Sequence, residues 1–258
     1  FLVSTALYAV TPQFWNVNSP DELLTGELEG FAITSRGELR PGPQTNKLAA
    51  VSDPFVLSQA SGPSGALFIG TGNAGKVYRL DGKQIRLLYT APEPEIYAMA
   101  FSGGSLYVGT SPNGKIYRVD PASGAATPFY DPTAAYIWAI APMGDGSMAV
   151  ATGVNGKLFR VSAAGEGKVW FDSPETHIRS IAVKKDGTLL LGSANKGRIY
   201  ELSPTGSARA LYDSTFSEIS TIYYDARSGV SYAAGVTNVL PSTAPAKKDT
   251  TAKDKAAS

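Results

Sequence analysis

The chain has 258 residues and a formal net charge of +1; its 43% hydrophobic and 17% charged residues exclude a disordered chain and a coiled coil. Gly 27 and Pro 17 mark a turn-rich chain, and the absence of cysteine removes disulfides, thiolate metal sites and cysteine nucleophiles. The single histidine, His177, removes any site built on two imidazoles.

The chain opens with an apolar, uncharged stretch, Phe1 to Val10, followed by Thr11-Pro12-Gln13. Two readings stay open: the end of a secretory signal, which makes residues 1–13 the remnant of a leader, or a first β-strand. The leader reading carries the expectation of an exported protein, periplasmic or extracellular. No later run reaches the roughly 18 uninterrupted apolar residues of a membrane span, so no span is expected. Residues 14–54 read as a partial blade: Gly30 to Thr34 and Glu38 to Arg40 form a hairpin about Arg36-Gly37, and Lys47 to Val51 an outer strand.

From residue 55 the chain repeats. Phe55, Ile96, Ile137, Ile178 and Ile219 each stand 41 residues apart, as do Tyr89, Tyr130, Phe171 and Tyr212. Between them recur Ile69-Gly70-Thr71, Val108-Gly109-Thr110, Val150-Ala151-Thr152 and Leu191-Gly192-Ser193. One unit holds four short strand-like runs, as in Ile178 to Val183, Thr188 to Gly192, Arg198 to Leu202 and Ala208 to Tyr212, with turn signals at Asp186-Gly187, Asn195-Lys196-Gly197 and Pro204-Thr205-Gly206. Four antiparallel strands in about 41 residues leave no room for a helix, and this is the arithmetic of a β-propeller blade. The expected fold is all-β: a propeller over 14–240, with blades at 55–95, 96–136, 137–177 and 178–218 and a partial blade at 219–240. About five blades are present. The N-terminal strands either close a five-bladed ring with 219–235, or the ring continues beyond a low-complexity linker at 241–258, where four Lys stand against two Asp. Without that linker the body is at −1, a balance that does not suit a nucleic-acid partner.

The run D-G-x-L-x-x-G-[ST]-x-x-x-G-x-[IV]-Y, read from Asp186 to Tyr200, resembles regulator-type and NHL-type (WD-like) propeller repeats and, more distantly, the blades of the gluconolactonase and virginiamycin-lyase group. The resemblance covers about residues 55–235. The Trp-Asp and Gly-His markers of Trp-Asp repeats and the Trp docking motif of quinoprotein blades are missing. The resemblance implies a propeller, a fold that hosts many unrelated activities.

Strand parity puts the loops between the fourth strand of one blade and the first of the next (D–A) on one face with the B–C loops. The A–B and C–D loops, on the other face, carry turn chemistry at Gly103-Gly104, Asp145-Gly146, Asp186-Gly187 and Gly206. On the first face two positions vary from blade to blade: Glu95, Tyr136, His177 and Glu218 at the entry to each inner strand, and Tyr97, Trp138, Arg179 and Ser220 two residues on. A variable polar and aromatic ring in regular surroundings suits a binding face. The expected ligand- or partner-binding residues are Glu95, Tyr97, Tyr136, Trp138, His177, Arg179 and Glu218. Three uniform sets read as structural. Lys76, Lys115, Lys157 and Arg198, after Asn73, Asn113, Asn155 and Asn195, are solvated strand starts. Thr71, Thr110, Thr152 and Ser193 bond between blades, and Tyr78, Tyr117, Phe159 and Tyr200 are blade-to-blade core.

These residues point to a non-enzymatic, monomeric propeller that binds a protein or small-molecule ligand or serves as a scaffold or sensor, without cofactor, metal or catalytic residue. The alternative, implied by the lactonase-like resemblance, is a metal-dependent hydrolase or lyase using Glu95, His177 and Glu218, with a calcium ion that takes six to eight oxygen ligands. The enzyme reading expects Glu95 and Glu218 to converge on one ion. The binding reading expects an open mouth lined by Tyr97, Tyr136 and Trp138.

Overall fold

The computed structural model describes residues 19–34 and 36–237. The leader reading of 1–13 and the linker reading of 241–258 lie outside them. The chain divides into two compact units, Phe1–Leu48 and Ala49–Ser258. In the first, the helical turn α1 (Pro20–Leu23) is closed by reciprocal bonds: Glu22 N donates to Ser19 Oγ and Ser19 N to Glu22 Oε2. The expected hairpin follows as β1 (Phe31–Ile33) and β2 (Leu39–Pro41).

The second unit is built of antiparallel four-stranded blades. Blade 1 is β3 (Val56–Ser61), β4 (Leu67–Thr71), β5 (Lys76–Asp81) and β6 (Gln84–Thr90). Blade 2 is β7 (Glu95–Ser102), β8 (Ser105–Ser111), β9 (Gly114–Val119) and β10 (Ala126–Ala134). Blade 3 is β11 (Tyr136–Pro142), β12 (Met148–Gly153), β13 (Lys157–Val161) and β14 (Gly167–Asp172); blade 4 is β15 (His177–Val183), β16 (Leu189–Ala194), β17 (Arg198–Leu202) and β18 (Ala208–Asp213). A last pair, β19 (Glu218–Tyr224) and β20 (Ser231–Val236), repeats the two inner strands. Residues 47–51 are not the outer strand expected from their sequence. Leu48 is exposed.

The core lies between blades rather than within them. One buried cluster joins Phe68 and Val77 of blade 1 to Ile96, Leu106 and Tyr117 of blade 2. The next joins Ala98, Tyr107 and Ile116 to Ile137, Val150 and Phe159, and the third joins Ala149 and Leu158 to Ile178, Leu191 and Tyr200. Ala182 and Leu190 meet Ile219 and Ile222 in the fourth. The 41-residue spacing of the inner isoleucines follows from this. A Cβ on Gly70 would lie 2.7 Å from Ile96 Cγ2, one on Gly109 2.6 Å from Ile137 Cγ2, and one on Gly192 2.7 Å from Ile219 Cγ2. β4, β8 and β16 thus each carry a notch that seats the isoleucine of the next blade. Phe55, the first of the series, is 54% exposed, whereas Ile96, Ile137 and Ile178 are 0% exposed. On β19 and β20 the outward positions hold Tyr223 and Tyr232, stacked at 6.4 Å, where blade 4 has Ala182 paired with Leu190.

A second device fastens each D–A loop. Tyr78 Oη donates to Asp53 Oδ2 (2.5 Å), Tyr117 Oη to Glu93 Oε1 (3.2 Å) and Tyr200 Oη to Glu175 Oε1 (2.7 Å). Burial first, then the neighbouring Glu93 carboxylate, pushes the Tyr117 phenol up to about 12. Blade 3 has Phe159 for tyrosine, and Ala134 stands where Glu93 and Glu175 stand 41 residues to either side. Hydroxyl and acid are lost together.

Two outcomes follow from this packing. Gly109→Val drives a branched side chain into Ile137 and is expected to cost about 1–3 kcal/mol in a denaturant titration; an unchanged midpoint would remove the notch. Tyr200→Phe leaves the buried Glu175 one donor short and is expected to cost about 1–3 kcal/mol. Adding Glu175→Ala, which reproduces blade 3, should return part of that loss; a double variant that loses the sum of the two single effects would show that hydroxyl and acid do not act as a unit.

Candidate functional site

Every inner strand begins with the same irregularity. The register of inner strand against its neighbour slips between Val56 and Ser58, Ile96 and Ala98, Ile137 and Ala139, Ile178 and Ser180, and Ile219 and Thr221. The unpaired residue at each slip is Leu57, Tyr97, Trp138, Arg179 or Ser220. A β-bulge bends its strand and re-aims the side chain it frees. Tyr97, Trp138 and Arg179 of this series face one hollow together with the strand-entry residues Glu95, Tyr136, His177 and Glu218.

All seven expected residues, Glu95, Tyr97, Tyr136, Trp138, His177, Arg179 and Glu218, line a single hollow of about 540 Å³, with Val154 of a B–C loop as the eighth. D–A and B–C loops therefore share this face, as strand parity requires. Trp138 is its centre. Tyr136 stacks on the indole at 4.7 Å and 5°, Tyr97 leans on it at 4.8 Å and 59°, and the Arg179 guanidinium lies 3.6 Å from its ring centroid. Arg179 Nε donates to Glu218 Oε1 at 2.9 Å, which ends the stack in an ion pair. The indole Nε1–H donates to His177 Nδ1 at 3.0 Å. Neutral His177 then carries its proton on Nε2, the nitrogen left for a ligand.

Burial first, then the Arg179 charge, lowers the His177 pKa below its ordinary value, with Glu218 opposing. Burial and the neighbouring Glu95 carboxylate raise that of Tyr97. Gly153 makes the Trp138–His177 bond possible: a Cβ there would sit 1.9 Å from His177 Nδ1 and 2.5 Å from Trp138 Nε1. Gly153 and Val154 were not expected from the sequence. The signal lay in the repeat, since Gly72, Ser111, Gly153 and Ala194 are the small residues that follow Thr71, Thr110, Thr152 and Ser193.

Convergence on an ion is not seen. Among the described residues no group of three acid or histidine side chains is placed to hold a metal, and Glu218 is engaged by Arg179. The uniform sets need two corrections. Thr71, Thr110 and Thr152 do not bond between blades: each hydroxyl donates to the carbonyl five residues on, and Ser193 Oγ accepts from Arg198 N, so all four close their own B–C turn. That turn is tight because Asn73, Asn113, Asn155 and Asn195 all adopt positive φ. Three of the four cations after it are not simply solvated either: Lys76 pairs with Asp53 at 3.0 Å, Lys157 with Asp172 at 3.6 Å and Arg198 with Glu175 at 3.4 Å. Tyr117, Phe159 and Tyr200 are blade-to-blade core as expected.

A hollow of similar volume, about 530 Å³, lies by the A–B and C–D turns of blade 3. Its Arg160 is already bonded to Asp145 and lies 4.8 Å over Trp170, and one blade supplies its charged wall. The mouth at Trp138 draws on four blades and keeps free donors and acceptors.

His177 is a single-residue reporter, being the only imidazole. An NMR titration is expected to give a pKa below 6.5. Arg179→Gln should raise it by removing a like charge, and Trp138→Phe should raise it by freeing Nδ1; a value unmoved by both would break the arrangement described. The depressed pKa means the unfolded chain protonates first. The histidine's contribution to stability is therefore full above 6.5 and is lost as pH falls through the folded-state value.

Against this geometry the comparisons with known proteins can be set. No curated protein matches the sequence. Among solved structures the chain is similar to a streptogramin B lyase (TM-score 0.62, 16% identity, covering 80% of this chain and 68% of the lyase). It is similar also to virginiamycin B lyase from Staphylococcus aureus (0.59, 18%, 74% and 66%). A chain of a nidogen/laminin complex is a third (0.56, 18%, 66% and 69%). The chain thus spans about two thirds of the length of each, and the likeness establishes the β-propeller fold. Residues 7–169 match the profile of a repeat of unknown function, DUF6923, and the chain belongs to that family.

Proposed function

We propose that this propeller is a non-enzymatic binding module whose D–A/B–C face receives a ligand or partner at the Trp138 mouth. The observation that carries the reading is the convergence of seven variable side chains from four blades on a single hollow, three of them, Tyr97, Trp138 and Arg179, freed by the repeated bulge. Regular blades need no such variety for packing, because their packing residues are the uniform ones. Indole, phenol and guanidinium groups are also the side chains that contribute most where proteins bind other molecules. The fold likeness to a chain of a nidogen/laminin complex is compatible with a binding role, and that to two lyases leaves turnover as the competing outcome. The module acts as a monomer, without nucleic acid, and is exported. Support for export is the apolar N-terminal stretch; among the described residues no helix is long and apolar enough to cross a membrane.

The test is a thermal-shift panel of small amines, carboxylates, saccharides and short peptides on the whole chain, run beside Trp138→Ala and Arg179→Ala. At least one class should raise Tm in the parent chain and fail to do so in both variants. A panel that shifts nothing, or shifts parent and variants alike, would retire the mouth as a binding site. Consumption of a stabilising compound would replace binding by catalysis.

A further inference from the structure

The mouth has a second chamber. On the far side of the Tyr97–Trp138 pair lies a hollow of about 320 Å³, walled by the inner strands of blades 1 to 3, where Leu57, Met99 and Ile140 stand beside Ser58 and Gln59. Tyr97 and Trp138 line both hollows, so the two chambers share a wall. Their chemistry differs. The outer chamber holds two carboxylates, Glu95 and Glu218, against one guanidinium, Arg179, with His177 held toward its neutral form. Arg179 is committed to Glu218. Glu95 takes part in no ion pair among the described residues, and the donor beside it is the Tyr97 phenol. The outer chamber therefore has a net negative charge, an uncompensated carboxylate and tyrosine rings next to it. The inner chamber carries no charged side chain and adds apolar surface from Leu57, Met99 and Ile140 to the polar Ser58 and Gln59.

We infer that the ligand is an amphipathic cation: an ammonium head seated at Glu95 against the Tyr97 and Tyr136 rings, and an apolar tail passing Trp138 to lie on Leu57, Met99 and Ile140. This rests on the mouth being the binding site. The head would make with Glu95 the ion pair that Arg179 makes with Glu218, and it would meet the rings as Arg179 meets Trp138. An anionic head would face Glu95 and Glu218 together, and a purely polar ligand would leave the inner chamber unused. The inference also adds Leu57 to the site: it is the bulge residue of blade 1, in the series of Tyr97, Trp138 and Arg179.

The test is calorimetric titration of the whole chain with four probes: hexylamine, hexanol, hexanoate and ethylamine. Hexylamine should bind tightest. Hexanol and hexanoate should be weaker by about tenfold or more, for want of the charge. Ethylamine should be weaker by about a hundredfold, for want of four methylenes. Glu95→Gln should bring hexylamine down to the level of hexanol, and Leu57→Ser should bring it toward ethylamine. Hexanoate binding as well as hexylamine would overturn the cationic head, and ethylamine binding as well as hexylamine would overturn the apolar tail. If no probe binds the parent chain at millimolar concentration, the ligand class is wrong, while the mouth itself still stands or falls by the thermal-shift panel. The parent chain with four probes decides the matter even if either variant fails to fold.

Discussion

The structure depends on one contact repeated along the chain, an isoleucine near the start of an inner strand seated on a glycine, or in one case an alanine, of the blade before it. A four-stranded antiparallel sheet has two faces and cannot bury both by itself. Here blades 2 to 4 bury one face on the blade before and the other on the strands that follow, and the notch sets how closely the two sheets approach. The buried clusters accordingly run across blade boundaries. Blade 3 shows the tolerance of the device: Ala151 stands in the notch position and is fully buried with Ile178 beside it. The spacing between blades can take up one methyl group.

The same inner strand that carries the isoleucine also carries the site. Strand-entry residue, isoleucine and bulge residue follow one another, so the core contact and the two variable positions are neighbours in sequence. The bulge separates their tasks by leaving the third residue out of the ladder. The result is a stack, Tyr97 on Trp138 and Trp138 under Arg179, in which each side chain comes from a different blade. A site of this kind has no existence within one repeat. It appears only when successive blades are held at the distance the notch dictates, and the Trp138–His177 bond, which also bridges two blades, has the same dependence.

Much of this was legible in the sequence because a repeat shows its own exceptions. Glu95, Tyr136, His177 and Glu218 stand out against constant neighbours, and the asparagine turns announce their positive φ. What escaped notice was whatever needs two positions to be read together. Tyr78, Tyr117 and Tyr200 looked like core aromatics, and only their acids, Asp53, Glu93 and Glu175, explain the hydroxyls. The joint loss of both in blade 3, as Phe159 and Ala134, was present in the sequence as a correlation between repeats. With no base at a repeatable spacing the threonine hydroxyls read as inter-blade donors rather than nucleophiles, yet a hydroxyl five residues from a carbonyl across a tight turn meets it sooner. Lys47 to Val51 have the composition of a strand, but composition cannot say whether a sheet edge is vacant to receive one.

The exceptions at the two ends of the series bear on the site as well. Phe55 takes the place of the buried isoleucine and is exposed, and Tyr223 and Tyr232 take the place of Ala182 and Leu190 and stack on each other. At these positions the side chains are exposed among the described residues, and bulk appears. The variable positions of the mouth obey the same rule from the opposite side, since they vary because they point away from any neighbouring sheet. Yet Trp138, Arg179 and Glu218 do engage one another there, with stacking and ion-pair geometry that a random surface would not assemble. Freedom from packing explains why these residues can differ from blade to blade. It does not explain why the differing residues fit together, and that mutual fit is the reason to regard the mouth as a site rather than as an unconstrained edge.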